Sequence, residues 1–580
     1  MSRAVRRRGT ALAALIASLG LVAGVPALSG GAAQSAEPAP DCVQPFPIAD
    51  LTPGDAVHGL TVSKGTTPEP FTGDVVGVLE DGIAPGLDMV IMDLSSPEID
   101  RVGGIWSGMS GSPVYADDGR LVGAVAYGLA YGASPVAGIT PFEDMDDYLG
   151  GAAAPGKIRV GKGLAARIAR GTEVTQRQAA QGFTQLPMPL GVTGLSARRL
   201  DQAADADREY LHQRDTYAAG RVAGPASPDP STVSAGGNIA AAVAYGDVTA
   251  AGVGTATSVC DGRVVGFGHP MSFTGSTSLT LHPADALYVQ EDRLGVPFKV
   301  ANIGDPAGTI TDDRLTGITG GFGALPHSTT ITSTVTAEGR SREGTTHVNL
   351  PAAAAEMTFN EHLANHDRVV DGIMGGSTHL SYSITGTDER GKPFSIAFDD
   401  RFQSGFDITF DSSFEVADLV YALSSIEGVS VEDVTMSSDV SPDKATYKVD
   451  SVQQFRKGKW STLGKGKPAV VKGGNTLRLR AVLAGPSGKK YVGYKFFVPK
   501  KFRGQRGTVS LTGGNWLYSE AAYQPSVARI AKAVARQVRN DETQAEFSIS
   551  NERAEHTKTI VGSAVDHVVN GSKRVRVQVK

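Results

Sequence analysis

The chain has 580 residues, of which 41% are hydrophobic and 20% charged. This is too long for one hydrophobic core and predicts about three or four domains. A formal charge of −5 with both signs interspersed gives no basis for a nucleic-acid partner. The 71 glycines and 31 prolines, set among stretches rich in Val, Thr and Ser, predict a mainly β protein of short strands and tight turns.

Residues 1–36 read as an export signal. Arg3, Arg6, Arg7 and Arg8 precede the apolar run "ALAALIASLGLVAGV", and small residues offer cleavage sites between Ala27 and Ala36. "RRRGTAL" lacks the pattern that follows a twin-arginine pair, which favours the general secretory route and a secreted or envelope-associated product. No later apolar run approaches the ~18 residues needed to span a bilayer, so no transmembrane segment is expected after the signal.

Further along, "DVVGVLED", "DMVIMDLSS" and "SPVYADDGRLVGAVAYG" alternate like strands joined by turns, within a unit over 41–150. Residues 151–237 form a connecting region with helical stretches such as "LAARIARGTEV" and a loop of turn formers, "AGPASPDPSTVSAGG". Strand signals return over 238–323. Residues 324–430 mix strands with the helical "AAAAEMTFNEHLANHD", and 431–580 read as an immunoglobulin-like β-sandwich with a late helix and tail. In that helix Val527, Ile530, Ala531 and Val534 make a packing face. The lysines of "FRKGKW", "GKGKP" and "VPKKFRGQRG" fit solvated strand edges, with an anionic wall polymer or other cell-envelope partner as the sharper reading.

The candidate chemistry sits in "GMSGSP". Ser110 stands between glycines on what is either a nucleophile turn or a plain connection between strands. As a nucleophile it needs a base, and the oxyanion it creates needs aimed donors, a role open to the N–H groups of Gly108 and Ser110. Two of the eleven histidines are candidate bases. His58 precedes Ser110, the order found in chymotrypsin-like chains; His269, in "VVGFGHP", ends an apolar strand and is fixed before proline. Chain order does not decide between them, and context favours His269. Cys42 and Cys260 either pair as a disulfide, which export would permit, or remain as thiols. No metal-ligand spacing such as H-E-x-x-H is present, and no cofactor is expected.

"GGIWSGMSGSPVYADDGRLVGAVAYG" resembles the nucleophile segment of the SpoIVB family of serine peptidases, and "AGVGTATSVCDGRVVGFGHPMSF" with "GTITDDRLTGITG" resembles that family's histidine half. The matches cover about 200 residues. The resemblance implies a trypsin-like double β-barrel with the serine half, 41–150, placed before the histidine half, 238–323, a permuted order. It implies Ser110 as nucleophile and His269 as general base. Where the family places its acid, this chain has Ser95; Asp93 is the substitute of choice, with Asp100, Asp312 and Asp313 as further candidates. The expected function is an exported serine peptidase acting on protein or peptide substrates, itself included. The alternatives are a non-catalytic envelope-binding protein that keeps the fold and, third, an esterase-like hydrolase.

Overall fold

A computed structural model of the chain describes residues 42–146, 157–212, 216–221, 223–292 and 295–580. The expected signal at 1–36 lies outside the described residues. Among those described, no helix is long and apolar enough to cross a membrane.

Two closed antiparallel barrels of six strands each dominate the first part of the chain. The first comprises β1 (Ala56–Thr61), β2 (Glu69–Ala84), β3 (Leu87–Ser95), β4 (Pro113–Ala116), β5 (Leu121–Leu129) and β6 (Val136–Pro141), with the short helix α1 (Pro97–Val102) between β3 and β4. Closure comes from β4, which pairs with both β5 and β1. Apolar side chains at alternating positions, among them Phe71, Val75, Val90, Met92, Val114 and Ile139, fill the interior. The strand β5 is apolar almost throughout because it is covered on both faces. Val122 and Val125 face the barrel interior, and Ala126, Tyr127 and Leu129 pack with Ile158, Ile168 and Phe183 of the connecting region.

The second barrel uses β7 (Asn238–Gly246), β8 (Ala250–Cys260), β9 (Arg263–Gly266), β10 (Gly275–His282), β13 (Gly308–Arg314) and β14 (Gly317–Phe322). Between its strands a hairpin of β11 (Ala284–Gln290) and β12 (Phe298–Ile303) reaches back to the first barrel, where Gly65 bridges Ala286 and Ser107 bridges Phe298. The sheet does not end with the barrel. Through Ala244 opposite Val348 it continues into β15 (Thr329–Ala337) and β16 (Arg340–Val348), and then into β17 (Gly376–Thr387), β18 (Pro393–Ser404) and β19 (Ser430–Ser441). β19 lies parallel to β15, so the strand at the start of the expected 431–580 unit belongs to the preceding sheet. Helix α2 (Ala354–Val370) is buried along most of its length in this core.

From Tyr447 onward two five-stranded sheets enclose Val449, Leu479, Tyr494, Val509, Phe547 and Val577. The late helix, Val527–Val534, leaves that sandwich and buries Val527, Ile530 and Val534 in the core of the preceding sheet. Its apolar face thus fastens the C-terminal sandwich to the rest of the chain.

Cys42 and Cys260 form a disulfide with a Cα–Cα separation of 5.0 Å across 218 residues of sequence. The stretch after Cys42 lies along β5, with Phe46 N–H donating to Leu121 O at 2.8 Å and Leu121 N–H to Gln44 O at 2.9 Å. Cys260 ends β8, so the bond ties the edge of one barrel to the other. Replacing both cysteines by alanine is expected to lower stability by about 2–4 kcal/mol in urea unfolding. Unchanged unfolding in the variant would contradict this.

Candidate functional site

The two barrels meet around residues 106–112. Three carbonyls of this turn are held by the second barrel: Thr255 N–H donates to Ser110 O at 2.8 Å, Thr255 Oγ1 to Gly108 O at 3.1 Å and Thr257 Oγ1 to Gly111 O at 2.8 Å. Val125 of the first barrel accepts the N–H of Gly111 at 2.8 Å. The amide N–H groups of Gly108 and Ser110 donate to no protein acceptor among the described residues. With the carbonyls anchored, these two backbone donors are left free on the turn. Gly111 has φ +95° and a Cβ there would run into Thr255 O, so both the turn and the contact between barrels require glycine.

His269 enters from the second barrel, three residues after β9 ends at Gly266. Phe267 and Gly268 both have φ 69°, and for a phenylalanine this is a strained conformation that turns the chain sharply after the strand. The ring of Phe267 lies against Gly254, and Thr140 Oγ1 of the first barrel donates to Gly268 O at 2.5 Å. The result places His269 Nε2 2.8 Å from Ser110 Oγ, across 159 residues of sequence.

The other ring nitrogen decides what that contact can do. His269 Nδ1 lies 2.8 Å from Pro270 O. A carbonyl oxygen only accepts, so Nδ1 carries the proton and Nε2 presents its lone pair to the serine hydroxyl. The ring is therefore in the tautomer that a general base needs. Full burial pulls its pKa down to about 4, opposed by the hydrogen bond to Pro270, and the imidazole is neutral at ordinary pH.

Among the described residues, no carboxylate hydrogen-bonds to His269. Asp93, on β3 opposite Asp74 and Val136, makes no hydrogen bond to His269 among the described residues, and its buried Oδ1 has no partner. Burial, with Asp74 and Glu173 nearby, pushes its carboxyl above the ordinary range. Ser95 and Asp100 are exposed, as is His58, which stacks on Tyr115. Asp312 pairs with Arg314 at 2.8 Å.

Asp313 has a different place. Fully buried, it accepts the N–H groups of Met271 and Ser272 at 2.8 Å each, and of Thr274 at 3.4 Å. Burial raises its carboxyl above the ordinary range against the opposing pull of these amides. It holds the loop that supplies the Pro270 carbonyl, and so acts on the imidazole through the backbone.

Sequence reasoning did not single out Lys299. Its stem lies under Gly108, with Lys299 Cβ 2.8 Å from where a Cβ on that glycine would be, and Nζ donates to Asn238 Oδ1 at 2.8 Å. Burial draws its ammonium down to about 7. No motif marks it; an isolated lysine on an alternating strand looks like a surface residue until the hairpin folds under the turn.

Ser110 and His269 are both fully buried. A cavity of about 610 Å³, bounded in part by Val43, Val233, Thr257 and Phe322, lies behind the turn, but neither residue lines it. Among the described residues, the one grouping of potential metal ligands is Cys42, Cys260 and Asp261, and the disulfide occupies both of its thiols.

Two measurements follow from this geometry. The rate at which a fluorophosphonate labels Ser110 should stay level from about pH 8 to about pH 5 and fall only as His269 protonates near about 4; an acid limb near the ordinary histidine value would contradict the burial. Asp313→Asn sets an amide NH2 against a backbone N–H that the carboxylate now accepts, and should both slow labelling roughly tenfold or more and lower the unfolding temperature; an unaltered rate would remove Asp313 from the support of the loop. No family model, curated protein or solved structure matches this chain.

Proposed function

We propose that the protein is an exported serine peptidase of the SpoIVB type, built on a trypsin-like pair of barrels, in which Ser110 attacks a peptide carbonyl and His269 takes its proton. The observation that carries this reading is the 2.8 Å contact between Nε2 and Oγ, in the tautomer fixed by Pro270 O. Attack joins Oγ to the carbonyl carbon, and the oxygen that gains charge is received by the free N–H groups of Gly108 and Ser110. The imidazolium then gives its proton to the leaving amine, and water repeats the sequence to release the acyl group. The resemblance in "GMSGSP" and "GFGHP" supports the same assignment.

A carbonyl in place of a carboxylate keeps the tautomer but supplies no negative charge for the imidazolium. Burial also disfavours that charged state. The proposed turnover is accordingly slow.

A second reading is favoured by the C-terminal part. Trp516, Tyr518 and Tyr523 are exposed, with the two tyrosine rings 5.8 Å apart. Such a surface, on the segment that runs from the sandwich into the core of the preceding sheet, suits a cell-envelope partner, and on this reading the C-terminal region does the work while the barrels serve as scaffold.

Labelling of the mature protein by a fluorophosphonate separates the two. The peptidase reading expects a single adduct on Ser110, lost in Ser110→Ala and reduced roughly a hundred- to ten-thousandfold in His269→Ala. Labelling that persists without Ser110, or that occurs neither in the intact protein nor in a form whose buried site has been opened, would leave the binding reading.

A further inference from the structure

The barrel leaves one strand edge open beside the nucleophile. β4 pairs with β5 only as far as Ala124, because the chain before Pro113 is the nucleophile turn itself. Val125 is spent on that turn: its carbonyl accepts Gly111 N–H and its own N–H donates to Ser112 O at 3.0 Å. The same edge of β5 from Ala126 to Leu129 is free of the barrel. It is nevertheless occupied. Residues Phe183–Gln185 of the connecting region pair with it antiparallel, placing Gln185 opposite Tyr127 and Thr184 opposite Gly128, and Leu186 N–H donates to Ala126 O at 3.0 Å.

The contacts of this segment reach the loops that carry each member of the pair. Ser107 Oγ, on the loop carrying Ser110, donates to Pro187 O. Gln185 Nε2 donates at 2.8 Å to Pro270 O, the same carbonyl that orients His269. Leu186 is almost fully buried in the first barrel's core beside Ile105, with its Cδ2 3.2 Å from where a Cβ on Gly128 would be. Met188 then lies over Gly252 of the second barrel, and Leu190–Val192 pairs with β8 at Ala250 and Ala251. Pro187, between these anchors, is exposed.

We propose that residues 183–189 are a built-in occupant of an extended-peptide groove. They hold the site closed, and the substrate that replaces them is an extended stretch of polypeptide with a large aliphatic side chain where Leu186 sits. This rests on the reading of Ser110 and His269 as a peptidase pair, and it accounts for the complete burial of both. An added strand supplies backbone hydrogen bonds that any sequence can make, and the Leu186 pocket supplies selectivity. A tethered occupant competes at the high effective concentration of a short linker, so a peptide in solution reaches the groove only after the segment is displaced. Gln185 leaves with it and gives up its share of the Pro270 carbonyl.

The test uses the full mature chain with a recognition site for a sequence-specific protease inserted after Pro187 and cut once the protein has folded. In a Ser110→Ala background, the cut chain should bind a fluorescein-labelled Phe-Thr-Gln-Leu-Ala peptide at least about tenfold more tightly than the uncut chain does. It should prefer that peptide by a similar factor over one with Asp in place of Leu. With Ser110 present, cutting should accelerate fluorophosphonate labelling roughly tenfold or more. An uncut double variant, Gln185→Gly with Leu186→Ser, should show the same acceleration and covers the case in which the insertion impairs folding. Equal binding by cut and uncut chains, or no preference between the peptides, would overturn the proposal. Selective peptide binding without labelling in any form upholds the groove and overturns the peptidase reading instead.

Discussion

The hydrogen bond from His269 Nδ1 to Pro270 O is the contact on which the site depends. It is made within a single dipeptide, yet it settles which ring nitrogen is free to face Ser110. A neutral imidazole with its proton on the other nitrogen could only donate to the serine oxygen, and the pair would be inert. The bond also offsets part of the cost of burying the ring. What it cannot do is supply a charge, and in that respect the serine–histidine pair is steered by backbone alone.

Much of the surrounding structure serves to keep that carbonyl and that hydroxyl in register. Asp313 fixes the loop after Pro270 through the amides of Met271 and Ser272, while Thr140 fixes Gly268 just before the histidine. On the other side, Thr255 and Thr257 hold the carbonyls of the turn that carries Ser110. Each of these anchors except Asp313 crosses from one barrel to the other, so the geometry of the pair belongs to the packing of the barrels and to neither alone. The disulfide and the β11–β12 hairpin reinforce the same junction. Segments distant in sequence can meet this way because a closed barrel carries its loops at fixed positions whatever the chain order.

The parts of this arrangement legible in the sequence were those with unusual local composition. "GMSGSP" announced a tight turn because positive-φ positions select glycine, and "GFGHP" marked a histidine held between a turn and a proline. Alternating and continuous apolar runs announced the strands. The orienting group was not legible: every residue has a carbonyl, so nothing in the identity of Pro270 announces an acceptor for Nδ1. The resemblance points to Asp93, on the same strand face as the family's acid position at Ser95, whereas Asp313, in the "TDDR" segment, acts through backbone amides. The roles of Gln185, Leu186 and Lys299 were equally hidden, since each depends on which strand edge or turn it lies against. The helix at Val527–Val534 was legible as a packing face, but its partner, the core of the preceding sheet, was not.

The tautomer of His269 can be observed directly. In protein labelled with ¹⁵N-histidine, the resonances assigned by their loss in His269→Gln should be those of a neutral ring protonated at Nδ1 and bare at Nε2, unchanged from about pH 8 to about pH 5. A ring carrying its proton on Nε2, or one that titrates near the ordinary histidine value, would contradict the orientation of the imidazole by Pro270.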